Sequence, residues 1–285
     1  MVHAMPHPHG RVTALALALS LLMTSLAGQD GVIIFTGSAN GTYQNCLCPD
    51  KPLGGVERRA QFISDLRENS PDALVLDAGD NFVEFLAEPV ESILVQGFEL
   101  IQYDLINLGD QDIAFAPEGY YQVHGVVAAL GTPVEMQKGD LSYSILPLLH
   151  PRTGRFYADG LFDSFALDKW EASIEEWLSA TSDQKVVRVL LSHAGFETDK
   201  KIAGIFGDID IIIGGHSQTV VDKPAKVNGV VIVQAGGNAG YVGVIKLKMR
   251  RKSVRISSYE LHPITLSLPG HPEMLKLIDQ RITGH

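Results

Sequence analysis

The sequence predicts an α/β fold, and three observations point to it. Short apolar runs alternate with segments of helical periodicity along most of the chain. Several of those runs stop abruptly at a glycine that stands beside a carboxylate or an imidazole, as "DIDIIIGGHSQT" does at Asp208 to Thr219. Near the C-terminal end the pattern changes to strict alternation, as in antiparallel strands with one wet face. With 285 residues, 45% hydrophobic and 20% charged, the chain can bury a sizeable core. Its formal net charge of −10 argues against nucleic acid or an anionic membrane as a partner.

Taken in order, residues 1–27 are expected to lie outside the fold. A basic, acid-free start precedes the apolar run "VTALALALSLLM", and small residues at Ser25 and Ala27 suit a cleavage site. This reads as a secretory signal peptide, so the protein is expected to be exported, to the periplasm or the extracellular space. The other reading is an uncleaved anchor, although the run is short of the roughly 20 residues a spanning helix needs. No later stretch reads as membrane-spanning, so no stable insertion is expected after cleavage. Residues 28–285 read as a single domain.

"GVIIFT" is a buried strand, followed by a Gly/Pro-rich loop. Val56, Ala60, Ile63 and Leu66 recur at helical spacing. "DALVLDAGDNF" is a second strand, a helix follows near Val90 to Gln102, and "YDLINLGDQD" is a third strand. A further helix is expected to begin near Pro117, a favoured first-turn residue. "LSYSILPLLHPRTGRFYADG" reads as β-rich, irregular chain. Leu167, Trp170, Ile174, Trp177 and Leu178 mark an amphipathic helix, and "KVVRVLLSHAG" a strand that ends on His193. A helix over about Thr198 to Phe206 leads into the strand before His216. "GVVIVQAGG", "VIKLKM" and "SVRISSYEL" are strands, and a last helix starts after Pro272.

Polar residues cluster where these strands end. Asp77 and Asp80 follow one, Asp110 and Asp112 another, His193 a third and His216 a fourth. In α/β sheets, ligands gather outside the carboxyl ends of strands. Each signal alone is an ordinary turn. Together they offer two imidazoles with carboxylates at one sheet edge, a donor set suited to Zn²⁺, Mn²⁺ or Fe.

Arranged in this order, "GGVERRAQFISDLRENSPDALVLDAGDNF", "YDLINLGDQDIAF", "LLSHAGFETDKKIAGIFGDIDIIIGGHSQT" and "VVIVQAGGNAGYVGVIKLKM" resemble the calcineurin-like metallophosphoesterases, specifically the catalytic domain of bacterial 5′-nucleotidases. The resemblance runs from about Val32 to Leu247. It implies a four-layer α/β/β/α sandwich of two mixed sheets with a dinuclear metal centre at the strand ends. It also implies one intact metal site, formed by Asp80, Asp110, His193 and His216. The other site is degenerate: Ser38 and Asn40 stand where the family has an aspartate and a histidine, and Gln218 replaces a second histidine. Gln111 replaces the catalytic histidine, and Asp112 falls where that histidine is oriented. One divalent ion per chain is therefore expected rather than two.

Two functions remain open at this stage. One is an exported phosphoesterase of the 5′-nucleotidase type, weakly active on a small phosphate ester or nucleotide, since a single metal can still polarise a phosphoryl oxygen. The other is a non-catalytic, metal- or ligand-binding descendant, with redox activity as one form. Cys46 and Cys48, the only cysteines, sit in the loop after the first strand. They resemble the Cys-x-Cys pair of an exported branch of 5′-nucleotidase-like proteins. A local disulfide, a redox couple and thiolate ligation of a metal are the three roles open to them. No C-terminal nucleotide-binding domain is expected, because only a short helix follows Tyr259.

Overall fold

A computed structural model describes residues 29–45, 53–127 and 129–283. The signal-peptide reading and the Cys46–Cys48 pair lie outside the described residues. The elements are β1 (Gln29–Thr36), α1 (Val56–Asn69), β2 (Leu74–Asp77), α2 (Val90–Ile101), β3 (Leu105–Ile106), α3 (Asp110–Phe115), β4 (Val134–Lys138) and β5 (Leu141–Leu149). They continue with α4 (Trp170–Thr181), β6 (Val187–His193), α5 (Phe196–Ile205), β7 (Ile211–Gly214), β8 (Ala225–Val227), β9 (Val230–Gln234), β10 (Tyr241–Arg250), β11 (Ser253–Pro263) and α6 (Pro272–Ile278).

The strands form two mixed sheets, ordered β11-β10-β1-β2-β3 and β4-β5-β6-β7-β9-β8. β1, β2 and β3 run parallel in the first sheet, and β5, β6, β7 and β9 in the second. The expected antiparallel tail is present, with β10 pairing both β1 and β11.

Side-chain alternation stacks the layers. Val189, Leu191, Ile211 and Ile213 point into a core shared with Ile33, Phe35 and Leu76 of the first sheet. Leu190 and Ile212 point the other way, into a second core with Ile174 and Trp177 of α4 and Ile202 and Ala203 of α5. A strand buried on both faces reads as a continuous apolar run, which is why "DIDIIIGG" carries no alternation. On the outer side of the first sheet, Val56, Ala60, Ile63, Ile93, Leu94 and Phe98 bring α1 and α2 into the core. This is the four-layer α/β/β/α arrangement.

Two expectations need correction. Asp110 to Asp112 do not lie in an open loop: they form the first turn of α3, with Gly109 as its N-cap. The acids suit that place, because a helix N-terminus favours negative charge. The helix expected near Pro117 is instead a short 3-10 turn over Glu118–Gln122. The "irregular" stretch proves to hold β5, a nine-residue strand that is buried along nearly its whole length.

A polar seam ties the sheets together at their carboxyl edge. Asn107, just after β3, donates from Nδ2 to the carbonyls of Leu148 (3.1 Å) and Leu191 (2.9 Å) in the second sheet. His193 at the end of β6 bonds Ala78 O, just after β2, through Nδ1 at 2.6 Å. On the outer face of the second sheet, Ser192 donates to Asp199 Oδ1 at 2.6 Å, while Asp199 Oδ2 is buried without a partner. Burial pushes the Asp199 carboxyl up to about 7.

Gly243 pairs with Phe35 across β1 and β10, and a Cβ there would fall 2.1 Å from the Phe35 ring. Phe35 is fully buried and has nowhere to go. Gly243→Ala is expected to destabilise the fold by about 1–3 kcal/mol, as overpacking does. Adding Phe35→Leu should recover part of the loss, both read by thermal melting.

A carboxyl whose folded pKa is raised above its unfolded value of about 3.9 supports the fold below that value. The support is lost as pH rises through the folded pKa of about 7. Asp199→Asn cannot ionise. Its stability relative to the parent, from urea denaturation of chelated protein, is expected to rise between pH 5 and pH 8. A constant difference would contradict the buried charge.

Candidate metal centre

Four tight strand-end turns build the site. The β1 turn is zipped to the β2 turn by backbone bonds from Ser38 N to Gly79 O (2.7 Å), Asn40 N to Asp80 O (3.0 Å) and Gly41 N to Asn81 O (2.9 Å). Asp80 (φ 61°) and His216 (φ 67°) hold left-handed backbone conformations. A side chain pays roughly 1–2 kcal/mol for that geometry, so the surroundings must impose it. For His216 they are visible: Gln234 of β9 donates to Gly215 O at 2.8 Å and accepts from Ser217 Oγ at 2.9 Å.

Asp80, Asp110, His193 and His216 converge, with one ligand atom from each lying within 4.8 Å of the others. Among the described residues no fifth Asp, Glu, His or Cys joins them. Three of the four are buried, and His216 is partly exposed on the open side. His193 Nδ1 must donate to the Ala78 carbonyl, which fixes the ring and leaves Nε2 facing the cluster. Nε2 lies 3.1 Å from Asp80 Oδ2 and 3.3 Å from Asp110 Oδ1. It makes a directed hydrogen bond to neither and is an orphaned buried polar atom.

Electrostatics match this geometry. Burial opposes the Asp110 charge, but His193 and His216 outweigh it and hold the carboxyl well below the usual range. Burial likewise opposes a charged His193, yet Asp80 and Asp110 hold it well above its ordinary value. Two carboxylates thus share positive charge on one ring nitrogen. A divalent cation could take that place, displacing the proton. Four ligands at about 2.0–2.1 Å from one ion lie at most about 4.2 Å apart. The observed spread exceeds this by less than an ångström, so small side-chain shifts would suffice. The residues fit a divalent ion.

The remaining expected residues sit around this cluster. Gln111 grips Asp80 twice, from its backbone N to Oδ1 and from Nε2 to Oδ2, both at 3.1 Å. Asp112 is fully buried and accepts four backbone amides: Asp80 N (2.7 Å), Asn81 N (2.7 Å), Phe82 N (3.1 Å) and Gly109 N (2.9 Å). Burial and the nearby Asp80 push this carboxyl up to about 7, against the amides that favour its charge. Both oxygens are engaged twice, so Asp112 fixes the Asp80 turn and has no free lone pair for a substrate. Asp77 serves the framework too, bonding Thr36, Gly79 and Asn81.

On the other side stand neutral groups. Ser38 Oγ is buried without a partner, and Asn40 Nδ2 bonds Asn238 Oδ1 at 2.9 Å. Gln218 follows His216 on the exposed rim. None of these side chains competes strongly with water for a divalent ion.

Sequence reasoning missed Tyr157. Its hydroxyl donates to Asp110 Oδ2 at 2.8 Å, so Asp110 is held from two directions. The phenol comes from the segment after β5, whose strand end was hidden in a stretch without a clear period. His150, which opens that segment, is held neutral: burial and Arg152 push its pKa down to about 4, and its Nδ1 accepts Arg152 N at 3.2 Å.

Comparison with known proteins agrees with this fold. No family model matches the chain. Human 5′-nucleotidase is 23% identical over 319 residues, covering 91% of this chain and 54% of that protein. An apyrase of Aedes aegypti is 23% identical over 282 residues, covering 81% and 50%. The chain thus spans about half the length of the curated relatives it matches. Among solved structures, the sulfate thiohydrolase SoxB of Thermus thermophilus superposes with a TM-score of 0.74 at 16% identity, covering 90% of this chain and 60% of that one. A 5′-nucleotidase precursor from the same organism gives 0.71 at 19%, covering 88% and 58%. The calcineurin-like phosphoesterase YfkN of Bacillus subtilis gives 0.64 at 15%, covering 89% and 96%. In sequence the chain is similar to 5′-nucleotidases and apyrases, and its fold is that of the calcineurin-like phosphoesterases.

Proposed function

We propose that the chain is a hydrolase of phosphate esters built around one divalent ion, held by Asp80, Asp110, His193 and His216. The observation that carries this reading is the orphaned Nε2 of His193, aimed between two buried carboxylates. A bound ion would polarise a phosphoryl oxygen and stabilise the charge that develops on it.

The chain's own residues do the rest. The Ala78 carbonyl fixes the tautomer of His193, and Tyr157 and His216 hold Asp110. Gln111 keeps Asp80 in place but has no proton to deliver to a leaving group. A general acid contributes roughly 10²–10⁴-fold, and its lack makes turnover slow. A small phosphate ester or nucleotide as substrate belongs to the same proposal, supported by the 5′-nucleotidase and apyrase relatives; export and one domain over residues 28–285 are proposed from the sequence alone. The competing reading is a metal- or ligand-binding protein without turnover, and it has its own support. Ser38, Asn40, Gln111 and Gln218 put hydroxyl or amide where a second ion or a proton donor would act.

Chelated protein reloaded with Zn²⁺, Mn²⁺ or Fe²⁺ is expected to hold one ion per chain by mass spectrometry. His193→Ala should lower the affinity by at least about tenfold, the scale of a lost ligand or its support. Loaded protein is expected to hydrolyse p-nitrophenyl phosphate slowly. Two tightly held ions, or rapid AMP hydrolysis, would contradict the one-metal reading. Metal uptake with no hydrolysis of p-nitrophenyl phosphate, its diester or AMP would favour the binding protein.

A further inference from the structure

The hairpin of β10 and β11 turns at the edge of the sheets away from the candidate metal centre. Its sequence, "KLKMRRKSVR" over residues 246–255, holds six cations and no acid. No Asp or Glu occurs between Asp222 and Glu260. Strand alternation sorts these residues. Leu247 and Met249 are buried in the core, whereas Lys246, Lys248 and Arg250 are exposed. Arg255 lies opposite Lys248 across the hairpin, and Arg251 and Lys252 form the turn. In a chain of net charge −10, the six make one exposed basic ribbon.

Two local features of the ribbon cost stability. Arg251 has φ 58° in a two-residue turn, a place that favours glycine or asparagine. Lys248 and Arg255 are like charges directly across from each other, which is destabilising. Ion pairs offset little of this. Lys248 pairs with Asp30 and Lys252 with Asp183, but all four side chains are more than half exposed, and such pairs contribute little. Lys246, Arg251 and Arg255 have no ion pair among the described residues. Cations kept against local preference point to an anionic partner outside the chain.

The path of the chain says where that partner lies. Gln29, the first residue of β1, pairs with Met249, the neighbour of Arg250. The chain therefore enters the fold beside the turn of the ribbon, directly after the basic and apolar leader read at residues 1–27. A leader of that kind is received by a membrane, as a signal or as an anchor. Lys252 also donates to Ser182 O, ahead of β6, so the turn serves the same edge of the second sheet. Asp80, Asp110, His193 and His216 stand at the opposite ends of the strands. A flat surface laid on the ribbon leaves them open.

We infer that the β10–β11 ribbon docks the protein on an anionic lipid surface, with the candidate metal centre facing outward. The place of the bilayer rests on the proposed leader, whereas the charge pattern stands without it. An extended surface suits the ribbon better than a small anion does. The cavity of about 580 Å³ at its foot sets Lys138, Lys246 and Lys248 against Asp30, Asp72 and Asp140, so it concentrates no net charge. Residues 246–258 hold no aromatic side chain on which a nucleic-acid base could stack. The acids elsewhere in the chain act weakly here, because screening limits each charge to about 8 Å at physiological salt. Each Lys or Arg close to an anionic bilayer adds attraction over the same short range.

Sedimentation of the full chain with phosphatidylcholine vesicles, with and without phosphatidylglycerol, tests this. Neutral vesicles read the leader, and the gain from phosphatidylglycerol reads the ribbon. That gain is expected to be at least about tenfold in partition coefficient, and to shrink as salt rises. Lys246→Gln/Arg251→Gln/Arg255→Gln should remove most of it without lowering the melting temperature. The charge-keeping Lys246→Arg/Arg251→Lys/Arg255→Lys should retain it. Arg152→Gln/Arg155→Gln/Lys201→Gln should leave it intact, because those cations line a cavity of about 530 Å³ beside His216, at the opposite edge. No gain from phosphatidylglycerol, a gain that survives the first variant, or an equal loss in the last one overturns the inference. So does tighter binding to duplex DNA than to the anionic vesicles. A gain without binding to neutral vesicles removes the leader and keeps the ribbon, whereas neutral binding without a gain does the reverse.

Discussion

The candidate site depends on one contact between the sheets, the bond from His193 Nδ1 to the Ala78 carbonyl. It joins the end of β6 in one sheet to the turn after β2 in the other, and it decides three things at once. It satisfies a carbonyl that would otherwise be buried without a donor. It fixes which ring nitrogen faces the cluster. It also sets the separation between His193, carried by the second sheet, and Asp80 and Asp110, carried by the first. The Asn107 bonds to Leu148 and Leu191 reinforce the same seam. If β6 slipped by one residue against β5 and β7, its faces would invert and His193 would turn away from the carboxylates.

Much of the fold was legible because buried strands leave an unmistakable mark. "LVLD", "VRVLLSH" and "IIIG" are buried along nearly their whole length, and each ends on or within three residues of a cluster member, Asp80, His193 or His216. Left-handed turns explain two of the glycines that follow them, Gly79 and Gly195. Gly79 has φ 85°, and a Cβ there would meet the backbone N of Gly109 at 2.5 Å. The limits were equally physical. "GDQD" has the composition of a turn, and nothing local says that Gly109 caps a helix whose third residue reaches back to four amides. Tyr157, Arg152 and Arg155 were missed because long-range placement has no signature in a loop. Their importance exists only once β5 sets the start of the segment beside β6.

Under the proposed one-ion reading, the amides of Asn40, Gln111 and Gln218 acquire a physical meaning. In a centre for two ions, a bridging carboxylate is balanced by charge on both sides. Here Asp80 faces His193 on one side and the amide of Gln111 on the other. A neutral donor supplies part of the stabilisation that a second cation would give, without drawing another cation in. Ser38, Asn40 and Gln218 add no charge either. Two aspartates and two imidazoles, with one ion, leave a centre close to neutral, whereas a second ion would leave uncompensated positive charge in a buried site.

That balance bears on how an anionic ligand would be held. With one ion bound, as proposed, the nearly neutral centre would offer a phosphate less attraction than a dinuclear centre would, and neighbouring cations would contribute more of the affinity. Arg152, Arg155 and Lys201 line the cavity beside His216. They are exposed, so their reach is screened within about 8–10 Å at ordinary salt. Their attraction is therefore local, and it acts on groups inside the cavity. Rigidity then decides how well these groups work together. Tyr157 fastens the segment to Asp110, His150 fastens the backbone of Arg152, and Asp112 fastens the turn that carries Asp80. Ion site and cavity are thus two ends of one braced surface, and a change that loosens the segment after β5 would reach both.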